Sequence, residues 1–152
     1  NVPRVLEFNC RLGDPETQPI LMRLNSDLAT LCDAVLDGHI ADIDVVWDKR
    51  CSLGVVMASA GYPDCYDIGL PIDGLDTPEK DTVKVFHAGT HDRDGQVLTS
   101  GGRVLCVTAL GSDIESARDL VYSTIKSIHW PGSFWRADIG HRALARQETE
   151  HK

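Results

Sequence analysis

The chain has 152 residues, 42% of them hydrophobic and 25% charged, and its 15 basic against 23 acidic side chains give a formal net charge of −8. Such values describe one globular domain, or one domain plus a small lobe, long enough to bury a core. They exclude non-specific nucleic-acid binding and docking on an anionic membrane, both of which need basic surface.

The first predicted element is a strand from Val2 to Asn9, carried by Val5, Leu6 and Phe8. Strand side chains alternate faces, so Glu7, Asn9 and Arg11 point one way. A carboxylate and an amide oxygen suit a hard cation such as Mg2+, which takes few protein ligands and leaves room for phosphate oxygens. A guanidinium beside them can hold an anion bidentately. Spacing alone leaves two readings open: a meeting place for metal, phosphate and carboxylate, or the solvated side of an edge strand. Gly13-Asp14-Pro15 stops the strand, and a loop from Cys10 to Gln18 carries the acids Asp14 and Glu16.

A helix follows, with Leu28, Leu31, Cys32, Val35 and Leu36 on one apolar stripe. Asn25 or Ser26 is the expected cap, and Gly38 the terminating glycine. This helix is expected to pack behind the first strand. His39 to Lys49 connects onward; its Asp42, Asp44 and Asp48 read as a solvated face, and Trp47 as an anchor on the core.

Cys51 to Ala60 predicts a buried strand, ended by the turn Gly61-Tyr62-Pro63-Asp64. Loops and short strands are expected from Cys65 to Lys80. Strands near Val83–His87, Gln96–Thr99 and Arg103–Leu110, with a turn at Asp92-Arg93-Asp94-Gly95, predict an antiparallel meander. His87 and His91, four apart on a strand, lie too far from each other to share one ion without a bend. Gly101-Gly102 has no helix start after it, so it reads as a hairpin turn and not as a phosphate loop.

The last long helix has Ser112 and Glu115 as a capping box and a stripe of Ile114, Ala117, Val121, Ile125 and Ile128. Pro131-Gly132 ends it. Arg136 and Asp138 are expected to form a structural bridge. A closing helical turn spans His141 to Arg146, and 147–152 is a frayed polar tail. The five cysteines are odd in number, widely spaced and without a C-x-x-C pair, so reduced thiols are expected. No run is long enough to span a membrane, and nothing near Asn1 resembles a signal peptide. Together these point to the cytoplasm.

The segment Glu7-Phe8-Asn9-Cys10-Arg11-Leu12-Gly13-Asp14-Pro15-Glu16-Thr17-Gln18 resembles the E-F-N-x-R-x-G-D-P-E-x-Q run of the phosphoribosylamine–glycine ligases (glycinamide ribonucleotide synthetases), an ATP-grasp family. Val85 to Thr90, Gly101 to Gly111 and Phe134 to Gly140 resemble later segments of that family, in the same order. Since the last of them would lie near the catalytic lobe, the resemblance leaves a contact with substrate phosphate open for this stretch beside the structural bridge. The resemblance runs from about Asn1 to about Ala145 and implies an α+β fold. Residues 1–60 would be the C-terminal part of an ATP-grasp catalytic lobe, and 61–146 a small, mostly antiparallel β lobe with a packed helix. The implied reaction joins glycine to 5-phosphoribosylamine at the expense of ATP, through a glycyl acyl phosphate. Glu7 and Asn9 would be metal ligands for Mg2+ or Mn2+, Arg11 the group stabilising carboxylate or acyl-phosphate oxygens, and Asp14 and Glu16 would hold the loop and Arg11. In the family this segment lies late in the ATP-grasp domain, so the chain is expected to be the C-terminal portion of the enzyme. Its partners would be those small molecules and the N-terminal lobes of the same enzyme, and alone it is expected to be inactive. The alternatives are another ATP-grasp carboxylate–amine ligase and a non-catalytic binding or scaffolding domain.

Overall fold

The computed structural model describes residues 3–76 and 81–150. Three expectations fall partly outside that range: Val2 at the start of the first strand, 77–80 in the long loop, and the last two residues of the tail. The elements are α1 (Thr17–Arg23), α2 (Leu28–Leu36), a 3-10 turn at Ile40–Asp42, β1 (Cys51–Ala58), β2 (Val83–His87), β3 (Thr90–Arg93), β4 (Gln96–Thr99), β5 (Arg103–Gly111), α3 (Ile114–Ile125), β6 (Phe134–Trp135) and α4 (His141–Glu150). The fold is α+β, as expected.

A four-stranded sheet in the order β2-β5-β1-β6 is the frame, and every pairing in it is antiparallel. Leu53, Val55 and Met57 alternate along β1 and join Val107 and Ala109 of β5 beneath Ala117, Val121 and Ile125 of α3. Each buried valine, leucine, isoleucine or methionine of this set contributes roughly 1.5–3 kcal/mol by leaving water. Gly111 brings strand and helix close: a Cβ there would strike the backbone of Ala117. The opposite face of β1 is held by α1, and a Cβ at Gly54 would meet Pro19 of α1 at 3.4 Å. Cys106 and Thr108 of β5 are buried on this second face.

Several expectations are corrected. Residues 3–10 form no strand, and Val5, Leu6 and Phe8 are 70%, 96% and 84% exposed. A strand needs a neighbour to pair its backbone groups. Both edges of β1 are taken by β5 and β6, and no strand among the described residues pairs with 3–10. The α2 stripe therefore covers no motif strand; Leu31 and Ala34 are buried, but Leu28, Val35 and Leu36 are exposed. Asp27, not Asn25 or Ser26, caps α2 by accepting from the Thr30 amide, and Gly38 ends it at φ 77°. Trp47 is half-exposed and bridges Leu24 through its backbone, away from the core. The short helix α1 was not expected.

The predicted meander is instead one bent hairpin. β2 pairs β5 directly, and β3–β4 continues beyond them as a separate two-stranded sheet. Gly89 and Gly101 meet at the corner, where a Cβ on Gly89 would lie 2.7 Å from the Arg103 carbonyl. Only glycines allow backbones this close. Asp113, one residue after the expected Ser112, caps α3 by accepting from the Ser116 amide at 2.7 Å. Ile128 is buried, although the helix has ended at Ile125. The closing turn is a longer helix, α4, that runs on to Glu150.

Candidate functional site

The segment of greatest sequence interest leads into α1. Glu16 folds its carboxylate over Gly13, which has no side chain to obstruct it. Thr17 donates both its amide and its hydroxyl to the Gly13 carbonyl, closing the turn as the helix starts. Upstream, Asn9 Nδ2 donates to Glu7 Oε1 at 3.0 Å, so the two expected oxygen donors are neighbours. Arg11 donates from a terminal nitrogen to the Leu12 carbonyl at 3.1 Å. All three side chains are exposed. A carboxylate and an amide, both with hard oxygens and both open to solvent, fit a divalent cation that keeps several non-protein ligands.

The loop is fastened to the sheet by Asp14, which pairs with Arg103 of β5 at 3.2 Å. Arg103 reaches that position because of a β-bulge. Met57 pairs with Leu105 but Ala58 pairs with Arg103, so β5 carries one extra residue. Val104 and Leu105, adjacent in sequence, both enter the core, and Arg103 returns to the α1 face. Its guanidinium lies 5.9 Å from the centre of the Tyr62 ring. Tyr62 in turn rests on Gly102, where a Cβ would strike the ring.

Arg103 and Pro15 border a cleft of about 420 Å³. Gly54, Val56 and Ala58 of β1, with Tyr62 and Pro63, form part of its lining, and Phe134, Trp135 and Arg136 form another part. Arg136 makes the expected bridge: its Nε and a terminal nitrogen donate to the two oxygens of Asp138 at 2.9 and 2.7 Å. That guanidinium holds the Asp138 carboxyl below its ordinary range. The Tyr122 hydroxyl donates to the Arg136 carbonyl at 2.7 Å and accepts from the Ile139 amide at 3.2 Å, pinning the segment to α3.

The two histidines weighed as ligands flank the bend at Gly89, and His87 Nδ1 lies 3.1 Å from the Thr90 hydroxyl. Among the described residues no group of three or more His, Cys, Asp or Glu is arranged to hold a metal. Sequence reasoning missed Arg103 and Tyr62 as cleft residues. The available signal was a basic residue directly after Gly101-Gly102, a place where flanking backbone can approach closely.

A family model described as "Phosphoribosylglycinamide synthetase, C domain" matches residues 52–142. A relative named phosphoribosylamine–glycine ligase from Allochromatium vinosum is 56% identical over 147 residues, 97% of this chain and 34% of its own length. One of the same name from Escherichia coli O157:H7 is 53% identical over 148 residues, with the same two coverages. The crystal structure of phosphoribosylamine–glycine ligase from Thermotoga maritima superposes with a TM-score of 0.72 at 36% identity, covering 90% of this chain and 33% of that one. The chain thus spans about a third of the length of these curated relatives. No helix among the described residues is long and apolar enough to cross a membrane.

Proposed function

The chain belongs to the phosphoribosylglycinamide synthetase C-domain family, and from that premise we propose that it is the C-terminal part of a cytoplasmic, ATP-dependent phosphoribosylamine–glycine ligase. The observation that carries this reading is similarity to ligases of that name over 97% of the chain, a span that includes the glutamate, asparagine and arginine of the first segment. In the reaction, a glycine carboxylate oxygen attacks the γ-phosphorus of ATP, the bond to the β-phosphate oxygen breaks, and ADP leaves. The amine of 5-phosphoribosylamine then attacks the acyl carbon, phosphate departs, and the nitrogen loses a proton as the amide forms.

Such chemistry is mostly electrostatic: charge must be neutralised as oxygens transfer between centres. Arg11 pairs with the carboxylate or acyl-phosphate oxygens. Glu7 and Asn9 would hold Mg2+ or Mn2+, and the hydrogen bond from the Asn9 amide to the Glu7 carboxylate keeps both side chains near one point. When bound, the cation supplies Lewis-acid neutralisation of phosphate charge. No side-chain nucleophile is needed, so the five cysteines carry no role in the chemistry.

The lobe containing residues 1–60 in the sequence reading ends, in our proposal, before β1. β1 is hydrogen bonded to β5 over its length and belongs to the same sheet as β6. The family match beginning at residue 52 supports this border.

The test uses the complete polypeptide and measures ADP release dependent on glycine and phosphoribosylamine. Glu7→Gln is expected to lower kcat/KM by roughly 100-fold or more with the thermal unfolding midpoint unchanged. Wild-type turnover in the variant at ordinary Mg2+ removes Glu7 from the metal site.

A further inference from the structure

We propose that the cleft between Arg103 and Arg136 binds the phosphate monoester of a phosphorylated sugar, the amine-bearing substrate of the ligation proposed above, on which this inference rests. The chain as a whole carries a net charge of −8, yet the charged residues lining this cleft are both arginines. The carboxylates that pair with them, Asp14 and Asp138, do not line it. A guanidinium has five N–H donors, and a bidentate carboxylate engages two. Arg136, paired in bidentate fashion with Asp138, keeps donors for a second oxyanion with the plane of its fork fixed, and Arg103, which meets Asp14 through one terminal nitrogen, keeps more.

The rest of the cleft suits a sugar. Gly54 and Val56 leave an apolar floor, and Tyr62 and Trp135 contribute flat ring surface for the carbon face of a furanose. At about 420 Å³ the space is that of a small-ligand site, within the usual span of about 300–1,000 Å³. Asp14 and Asp138 offset the charge of the two guanidiniums, so the cleft offers one phosphate group directed N–H donors and not a net positive charge. A triphosphate is more highly charged than a phosphate monoester and calls for a cation, and the candidate cation ligands lie elsewhere, at Glu7 and Asn9.

Both arginines are held in place before any ligand arrives. Arg103 is aimed by the bulge at Met57/Ala58 and steadied by Tyr62. The backbone at Arg136 is clamped by the Tyr122 hydroxyl. Pro15 lines the same cleft, and Asp14 beside it grips Arg103. An anion bound here thus sits against the Gly13–Glu16 turn, which continues from the segment bearing Glu7, Asn9 and Arg11.

The test is calorimetric titration of the 152-residue chain, without metal, with ribose 5-phosphate, ribose, inorganic phosphate and ATP. Ribose 5-phosphate is expected to bind more tightly than ribose or inorganic phosphate. Arg103→Met and Arg136→Met are each expected to weaken it at least about tenfold, the scale of one charge-assisted hydrogen bond. Arg103→Lys is expected to restore part of the loss. Absence of ribose 5-phosphate binding, or equal binding by both methionine variants with unchanged unfolding midpoints, overturns the proposal. Displacement by ATP at equal concentration overturns its assignment to the sugar. In the complete polypeptide, Arg103→Met is expected to raise KM for phosphoribosylamine about tenfold, with KM for ATP and glycine within about twofold. An active ligase with KM unchanged defeats the cleft assignment alone; an inactive polypeptide whose chain still binds ribose 5-phosphate through the arginines defeats the ligase reading alone.

Discussion

Asp48 shows how a residue read as solvated filler becomes a structural corner. Its carboxylate takes three hydrogen bonds from the Arg50 side chain and one from the Arg50 amide. Its carbonyl accepts two more from Arg23 at the end of α1. The bonds from Arg50 lower its pKa from 3.8 to about 2. A depressed carboxyl contributes stability above its unfolded pKa and loses it as pH falls through the folded value. Asp48→Asn is therefore expected to be less stable than wild type at neutral pH. The difference should shrink as pH falls from about 4 to about 2, as thermal unfolding at each pH will check. Closeness in the chain did not by itself make a pair legible, since Asp48 and Arg50 stand two apart and their bridge was not expected. Arg136 and Asp138 stand two apart and pair as expected. Asp14 and Arg103 lie far apart in the chain, and only the bulge in β5 brings them together.

At the scale of elements, the strongly patterned pieces were readable and their ends were not. The stripe of α3 packs as its periodicity demands, but the cap is Asp113 and not Ser112. Both are good caps, and Asp113 wins the role because its carboxylate accepts from the Ser116 amide and hydroxyl together. Asp113→Ala is expected to lower the urea unfolding midpoint, and Ser112→Ala, whose hydroxyl only supports the Asp113 carboxylate, to lower it less. α1 escaped detection because seven residues are too few for a period, and Pro15 and Pro19 look like breakers. Proline in a first turn removes a donor that the helix does not use. The bent hairpin was hidden for another reason. The three expected strands with glycines between them describe a meander and a bent hairpin equally well, β3 was not among them, and the close approach of Gly89 to Gly101 decides between the two.

At the scale of the molecule, the family was legible from the motif run, and the cleft was not, since its walls come from four separate stretches of chain. The Asn9 amide donates to the Glu7 carboxylate, and the strand that was to align the two is absent from residues 3–10. Residues 3–10 pair with no strand of the described sheet, and the relatives are about three times longer than the span matched here. The 152-residue chain alone is accordingly expected to release no ADP in the presence of glycine and phosphoribosylamine. A coupled assay checks this, and glycine-dependent release above background refutes it.

The bare segment around Val5, Leu6 and Phe8 has a further consequence, of a colloidal kind. It combines strand-forming residues, apolar surface and unpaired backbone, the ingredients of self-templating aggregation. Charge offers limited protection, because Arg4, Glu7 and Arg11 nearly cancel within this stretch despite the acidic whole. In concentrated solution one copy's segment is the nearest available partner for another's. The same few residues that a neighbouring lobe would render harmless therefore set the concentration at which the separated piece stays dispersed.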